Sequence, residues 1–259
     1  MNRTNQNAAR ICLLDTSIDN LTASEAAAAV DQLVQTDGFH YVISVNTDDL
    51  VKIHDNADLR EICNDADLVL TDGQILVKIS RWMKKPIKER IAMTDFVWDV
   101  LELAREKNYK IFLLGGREDA LAAAVQTISR KCPGVTVAGT CSPPVGFEKD
   151  DVLLEEINGQ IRQSGADILL VFLGCPKQNR FIYANKDKYQ VPVSITMGGC
   201  VDFLAGSVKR APKWMQEAGL EWFYRFLQEP GRLFKRYFID DVRIFRLIWK
   251  DEIKRSGQK

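Results

Sequence analysis

Asp72 is the residue whose type and place best suit chemistry. It ends the run Asp67-Leu68-Val69-Leu70-Thr71 and is followed by Gly73. A carboxylate at the carboxyl end of a buried strand, with a glycine after it, projects into a pocket with little competition for space and can take a proton from an attacking hydroxyl. The same position also suits a cap on a helix starting near Gln74, and the two roles can coexist.

A second carboxylate pattern, Asp65-Ala66-Asp67, has the D-x-D form used to hold a metal and a nucleotide diphosphate. It enters its strand instead of leaving it, which puts it at the wrong end of a sheet for that task. The two histidines, His40 and His54, have no Glu or Cys at ligand spacing, so no metal site is expected. Leu114-Gly115-Gly116-Arg117-Glu118-Asp119-Ala120 has the look of a phosphate-binding turn, in which backbone N–H groups and a helix N-terminus face an anion. It is neither G-x-G-x-x-G nor a P-loop, which weighs against nicotinamide cofactors and ATP. Beyond Gly206 the chain turns aromatic and basic, with Trp214, Trp222, Phe226 and Phe234 interleaved with Arg225, Arg232 and Arg236. Guanidinium groups bind diphosphate oxygens in bidentate fashion and can stabilise a leaving group in place of a metal. The same rings and charges also suit a helical cap on the core, or a segment lying at a lipid surface.

The elements that must hold these residues alternate along the chain. Tyr41 to Val45, Asp67 to Leu70, Lys110 to Leu114, Val135 to Ala138, Ile168 to Leu173 and Val193 to Met197 are short apolar runs separated by helical patterns. Alternation of this kind predicts an α/β fold, a mainly parallel Rossmann-like sheet flanked by helices, because parallel strands need crossover connections. Ligands in such sheets bind at the carboxyl ends of strands. Five of those ends carry Gly, Asp, Asn or Gln: Ser44-Val45-Asn46-Thr47, Thr71-Asp72-Gly73, Leu114-Gly115-Gly116, Gly174-Cys175-Pro176-Lys177-Gln178 and Gly198-Gly199-Cys200-Val201-Asp202. Tight strand-to-helix turns explain any one of them; five together favour a polar pocket.

With 259 residues the chain supports one large core and an appendage, read as an α/β catalytic domain over 1–205 and a C-terminal helical appendage over 206–259. Pro230-Gly231 is expected to break that appendage into two helices. The 35 basic and 35 acidic residues balance overall, yet 13 of the basic and only 7 of the acidic ones lie from Ala205 onward. Any attraction to an anionic surface is therefore local, and the acidic remainder argues against nucleic acid. Six cysteines without a C-x-x-C pair suggest ordinary thiols in a reducing compartment. Met1 to Arg10 is polar, and no run of about 18 apolar residues occurs, so a cytoplasmic protein without a membrane span is expected.

In this order the motifs resemble the bacterial WecG/TagA/CpsF glycosyltransferases, from about Tyr41 to Tyr237. The stretches that match are Asn46-Thr47-Asp48-Asp49-Leu50, Ala66 through Gly73, Glu89-Arg90 with Thr94-Asp95, Leu114-Gly115-Gly116, Gly174 through Gln178, and Gly198-Gly199 with Asp202. Most specific are Arg210-Ala211-Pro212, Gly219-Leu220-Glu221-Trp222, Tyr224-Arg225 and Glu229-Pro230-Gly231-Arg232. The resemblance implies an inverting, metal-independent transfer of a hexose-type sugar from a UDP-sugar to a sugar on undecaprenyl diphosphate, with no cofactor. N-acetylmannosamine, its uronic acid, glucuronic acid and glucose all fit as donors. It implies Asp72 as base, Gln178 as a sugar contact, Ser44 and Asn46 as a polar wall and Arg90 as a pocket arginine. Asp95, Gly115, Gly116, Gly198 and Asp202 join the substrate-binding set, and Arg225, Arg232 and Arg236 sit in an appendage that closes over the site and meets the inner face of the plasma membrane. Ser44 stands where many members have Thr, and Arg117-Glu118-Asp119-Ala120 replaces the usual small residues. Self-association into a homo-oligomer is left open. The rival readings are a dinucleotide-dependent oxidoreductase, which lacks its Gly-rich fingerprint, and a non-catalytic nucleotide-sugar or lipid-binding regulator.

Overall fold

The computed structural model describes residues 10–208, 210–217, 220–235 and 242–256. A hairpin of β1 (Arg10–Leu13) and β2 (Thr16–Asp19) precedes the helix α1 (Ala23–Val34). Then β3 (His40–Val45) leads to α2 (Thr47–Asp55) and α3 (Ala57–Asp65), and β4 (Leu68–Thr71) to α4 (Gln74–Trp82) and α5 (Met93–Lys107). Next come β5 (Lys110–Leu114), α6 (Glu118–Lys131), β6 (Thr136–Cys141), α7 (Asp151–Ser164), β7 (Ile168–Val171), α8 (Lys177–Tyr189), β8 (Val193–Thr196) and α9 (Cys200–Leu204). The C-terminal part holds α10 (Lys213–Glu217), α11 (Glu221–Gln228), α12 (Pro230–Lys235) and α13 (Arg243–Ser256).

β3 to β8 form one six-stranded parallel sheet in the order β4-β3-β8-β7-β5-β6. Every expected strand is present. β6 runs on to Cys141, whose carbonyl accepts the N–H of Gly115 at 2.8 Å, and β7 stops at Val171, two residues early. Successive side chains face opposite sides of a strand, so strands buried on both faces feed two cores. In β7, Leu169 and Val171 join one core, while Ile168 and Leu170 join the other. The first core lies under α2, α3, α4, α7 and α8; the second lies under α1, α5, α6 and α9.

The hairpin was not foreseen from the sequence. Its two-residue turn, Leu14-Asp15, takes φ of 45° and 62°, the left-handed pair that a tight hairpin turn needs and that Asn-Gly usually announces. Asp19, which is 3% exposed, explains why the hairpin stays put. Its carboxylate accepts from Arg10 Nε at 2.8 Å and from the backbone N–H of Val69 at 2.9 Å. Val69 lies on β4, the sheet edge, so the hairpin occupies an N–H that would otherwise offer pairing to a foreign strand.

The C-terminal helix α13 is seated on the first core. Ile244 and Ile248 of α13, one turn apart, are 0% and 1% exposed and pack with Leu50, Ile53, Leu76 and Ile79. Pro230 begins α12 as its first residue, a position where the missing N–H costs nothing, so it starts a helix as well as ending one. No described helix is long and apolar enough to cross a membrane.

Replacing Asp19 by Ala orphans the Val69 N–H and strips Arg10 of its partner. Urea unfolding of Asp19→Ala is expected to show a loss of about 2–3 kcal/mol.

Candidate active site

A cavity of about 330 Å³ opens at the carboxyl ends of β3, β4, β7 and β8. β3 and β8 are neighbours whose following helices, α2 and α9, pack on opposite faces of the sheet, and a switch of this kind is where a parallel sheet leaves a crevice. The two strands are tied there by side chains. Ser44 N donates to Thr196 Oγ1 at 2.8 Å, and Ser44 Oγ donates to the Thr196 carbonyl at 3.2 Å.

Asp72 lines the cavity one residue past β4. Burial raises its carboxyl above the usual carboxylate range; the Arg90 charge and the Met93 N–H draw it back in part, and Glu221 pushes it up again. Its Oδ1 accepts from Met93 N at 3.4 Å, so the helix it caps is α5, not α4 as the sequence suggested. A carboxylate with a raised pKa, held by one N–H and facing a cavity, is suited to accept a proton.

Gln178, in the first turn of α8, is 3% exposed. Its Oε1 accepts both Gly174 N at 3.2 Å and Gly198 N at 3.0 Å, which joins the loops after β7 and β8. Two N–H donors on one end of the carboxamide fix its orientation and leave the NH₂ for the cavity. Asn46 caps α2 in a reciprocal box with Asp49 while its side chain lines the cavity. Beside it Lys52 Nζ lies 2.8 Å from Asp48 and 3.4 Å from the Cys175 carbonyl. Burial alone would lower the Lys52 pKa, but Asp48 and Asp49 outweigh it and hold the ammonium above its ordinary value. Burial and the Asp49 carboxylate push the Cys175 thiol well up, so it stays protonated and is no nucleophile.

Arg225, from α11, closes the open side. Its guanidinium sits 5.5 Å from the Phe203 ring centroid and leaves so little room above Gly199 that a Cβ there would come within 3.2 Å of Nη2. Its Nε is buried without a partner. A cation that lines the cavity with an unsatisfied N–H is suited to an anion. Behind it runs a chain of ion pairs. Glu221 accepts from Arg90 Nη2 at 2.7 Å and from Arg210 Nε at 3.1 Å; Arg90 Nε donates to the Asp72 carbonyl at 3.0 Å, and Arg210 also grips Asp95.

Several expected residues stand elsewhere. Arg90 supports the wall from behind, and Asp95 is turned outward onto Arg210. Gly115 and Gly116, with φ of 98° and 80°, do not line the cavity: a Cβ would meet Phe172 and Leu173 within 2.9 Å at the first and Val201 at 2.8 Å at the second. Close packing alone requires glycine at both positions of this turn. Asp202 stands in the first turn of α9, where its carbonyl accepts from Ser207, and it does not line the cavity; Gly198 does. The Arg232 side chain and all of Arg236 lie outside the described residues. The D-x-D carboxylates are at the far end of the sheet, Asp67 accepting from Tyr41 N at 2.9 Å and contacting His40 at 3.0 Å. Among the described residues no group of three or more His, Cys, Asp or Glu is arranged to hold a metal ion.

Asp48 and Thr94, named only as matching positions, and Lys52 and Phe203, not singled out at all for the site, also line the cavity. Lys52 was detectable as the cation one turn beyond Asp48 on a helix that starts at a strand end.

Residues 11–258 match the family described as Glycosyl transferase WecG/TagA/CpsF family. A relative from Bacillus subtilis (strain 168), named N-acetylglucosaminyldiphosphoundecaprenol N-acetyl-beta-D-mannosaminyltransferase, is 34% identical over 68% of this chain and 66% of its own length. A relative of the same name from Bacillus spizizenii is 30% identical over 74% of this chain and 72% of its own.

Gln178→Ala leaves two loop N–H groups without an acceptor and is expected to lose about 1–3 kcal/mol in thermal unfolding. Gln178→Glu keeps an oxygen there and should recover most of that loss.

Proposed function

The chain belongs to the WecG/TagA/CpsF family of glycosyl transferases, and from that premise we propose that it moves a hexose-type sugar from a UDP-sugar to a sugar carried on undecaprenyl diphosphate. The observation that carries the reading is a raised-pKa carboxylate, Asp72, facing the cavity that Arg225 closes. Asp72 removes the proton from the acceptor hydroxyl, whose oxygen attacks the anomeric carbon from the face opposite the departing UDP. The configuration at that carbon inverts, and the bond to the diphosphate breaks with its electrons going to UDP. Arg225 meets the charge that develops on that diphosphate, and pre-set positive charge in a partly buried site is worth far more than in water. The Gln178 NH₂ and the Asn46 and Ser44 side chains orient the sugars.

The names of the two relatives favour N-acetylmannosamine as the sugar and N-acetylglucosaminyl diphosphoundecaprenol as the acceptor. The unit over 206–259 works with the α/β unit over 1–205 by bringing it to the inner face of the plasma membrane, where such an acceptor lies. Its exposed Trp214, Phe223, Leu227 and Phe234 suit that contact.

The direct test is UDP release by purified protein given a polyprenyl-diphosphate-linked N-acetylglucosamine and a panel of UDP-sugars. Release with UDP-N-acetylmannosamine alone, undiminished by EDTA, is expected; silence across the panel rejects the reading. Asp72→Asn is expected to lower kcat about 10²- to 10⁴-fold. Because burial raises the Asp72 pKa, activity requires a pH above that value, so kcat/KM of the unaltered protein should fall on acidification from above the usual carboxylate range. That acid limb should be absent from the residual rate of Asp72→Asn.

A further inference from the structure

A second hollow, about 460 Å³, lies between α4 and α13 and is lined by Ile75, Lys78, Ile79, Trp82, Phe245 and Ile248. Ile75, Ile79 and Trp82 recur at intervals of four and three, which stacks them on one face of α4. Ile79 and Ile248 form the floor at 4% and 1% exposure, while Trp82 and Phe245 stand as walls at 65% and 56%. A large exposed apolar hollow of this kind marks a binding surface more often than an accident of folding.

Two further facts say what fills it. The hollow begins on the helix that leaves the cavity wall, because Ile75 comes three residues after Asp72 and α4 opens directly from Gly73. Its surroundings carry a net positive charge: residues 74–86 contain Lys78, Arg81, Lys84 and Lys85 and no acidic residue, and α13 contains Arg243, Arg246, Lys250, Lys254 and Arg255 against Asp251 and Glu252. An ion pair of Arg243 with Asp55 at 3.1 Å fixes the start of α13 to the end of α2, so the two walls are held apart by the fold. An apolar trough on the helix that leads away from Asp72, in a net basic surround, matches an amphiphile with an anionic head and a hydrocarbon tail.

We propose that the trough between α4 and α13 binds the isoprenoid tail of the lipid-linked acceptor. This rests on the transferase reading for the identity of the acceptor, and it adds a subsite for the part of that acceptor that does not react. The first isoprene units leave the diphosphate near Asp72, run along Ile75 and Ile79, and lie between Trp82 and Phe245. Tail contacts of this kind raise affinity without touching the reacting atoms.

The test titrates the full chain with farnesyl diphosphate, a soluble fifteen-carbon prenyl diphosphate, and separately with inorganic diphosphate. The unaltered protein should bind the prenyl compound about tenfold or more tightly than inorganic diphosphate. Combining Trp82→Ser with Phe245→Ser should erase that preference and leave inorganic diphosphate binding and the thermal midpoint unchanged. Val152→Ser, on an exposed part of α7, should leave the preference intact. Equal binding of both compounds by the unaltered protein overturns the proposal, as does a preference that survives in the double variant. If the double variant keeps the preference but loses affinity for anionic vesicles, the trough faces the bilayer; if it instead breaks a dimer, a second copy occupies it. Either result overturns the assignment to the tail. Binding is read without turnover, so prenyl binding with no sugar transfer rejects the transferase reading alone. Transfer with equal KM for short- and long-tailed acceptors, in both proteins, rejects the trough alone.

Discussion

The site depends on one shared acceptor. Gln178 Oε1 takes the N–H groups of Gly174 and Gly198, which belong to loops that leave neighbouring strands and have no ladder partners of their own. Loops at the end of a parallel sheet would otherwise present such groups to water and diverge. Joined through one carboxamide, they form a continuous wall in which both glycines and Cys200 line the same cavity. The link from Ser44 to Thr196 does the same between β3 and β8. Polar side chains in this chain are thus spent first on holding the crevice open, and the Gln178 NH₂ is what that task leaves over.

The sheet itself was readable because its strands are continuous apolar runs separated by helical periods, a pattern with one physical solution. What escaped were features set by backbone conformation or by pairs far apart in sequence. Leu14-Asp15 forms a left-handed turn without the residues that normally announce it, and the hairpin is held from outside, by Asp19 on Val69, at a separation of 50 residues. Gly115-Gly116 is the opposite case, a conspicuous motif whose packing role is hidden in the sequence. A glycine pair after a strand suggests room for a phosphate, whereas here the room is taken by Phe172, Leu173 and Val201.

Asp72 was found from its place at a strand end, but the helix it caps was not. The nearest helix in sequence is α4; the N–H that reaches it comes from Met93, 21 residues on. Arg90 likewise proved to be a brace for the wall instead of part of it, because its partner Glu221 lies 131 residues away and no local pattern connects them. Individual residue types were legible, and their division of labour became visible only when tertiary pairing set which side of each group was already engaged.

The brace through Glu221 has a mechanical consequence. Glu221 and Arg225 are one turn apart on α11, and Arg90 touches both Glu221 and the carbonyl of Asp72. Lifting α11 would remove Arg225 from above Gly199 and, in the same displacement, release the guanidinium that steadies the carboxylate opposite. With the roles proposed for Asp72 and Arg225, the proton acceptor and the anion-binding cation are therefore seated by one and the same helix position.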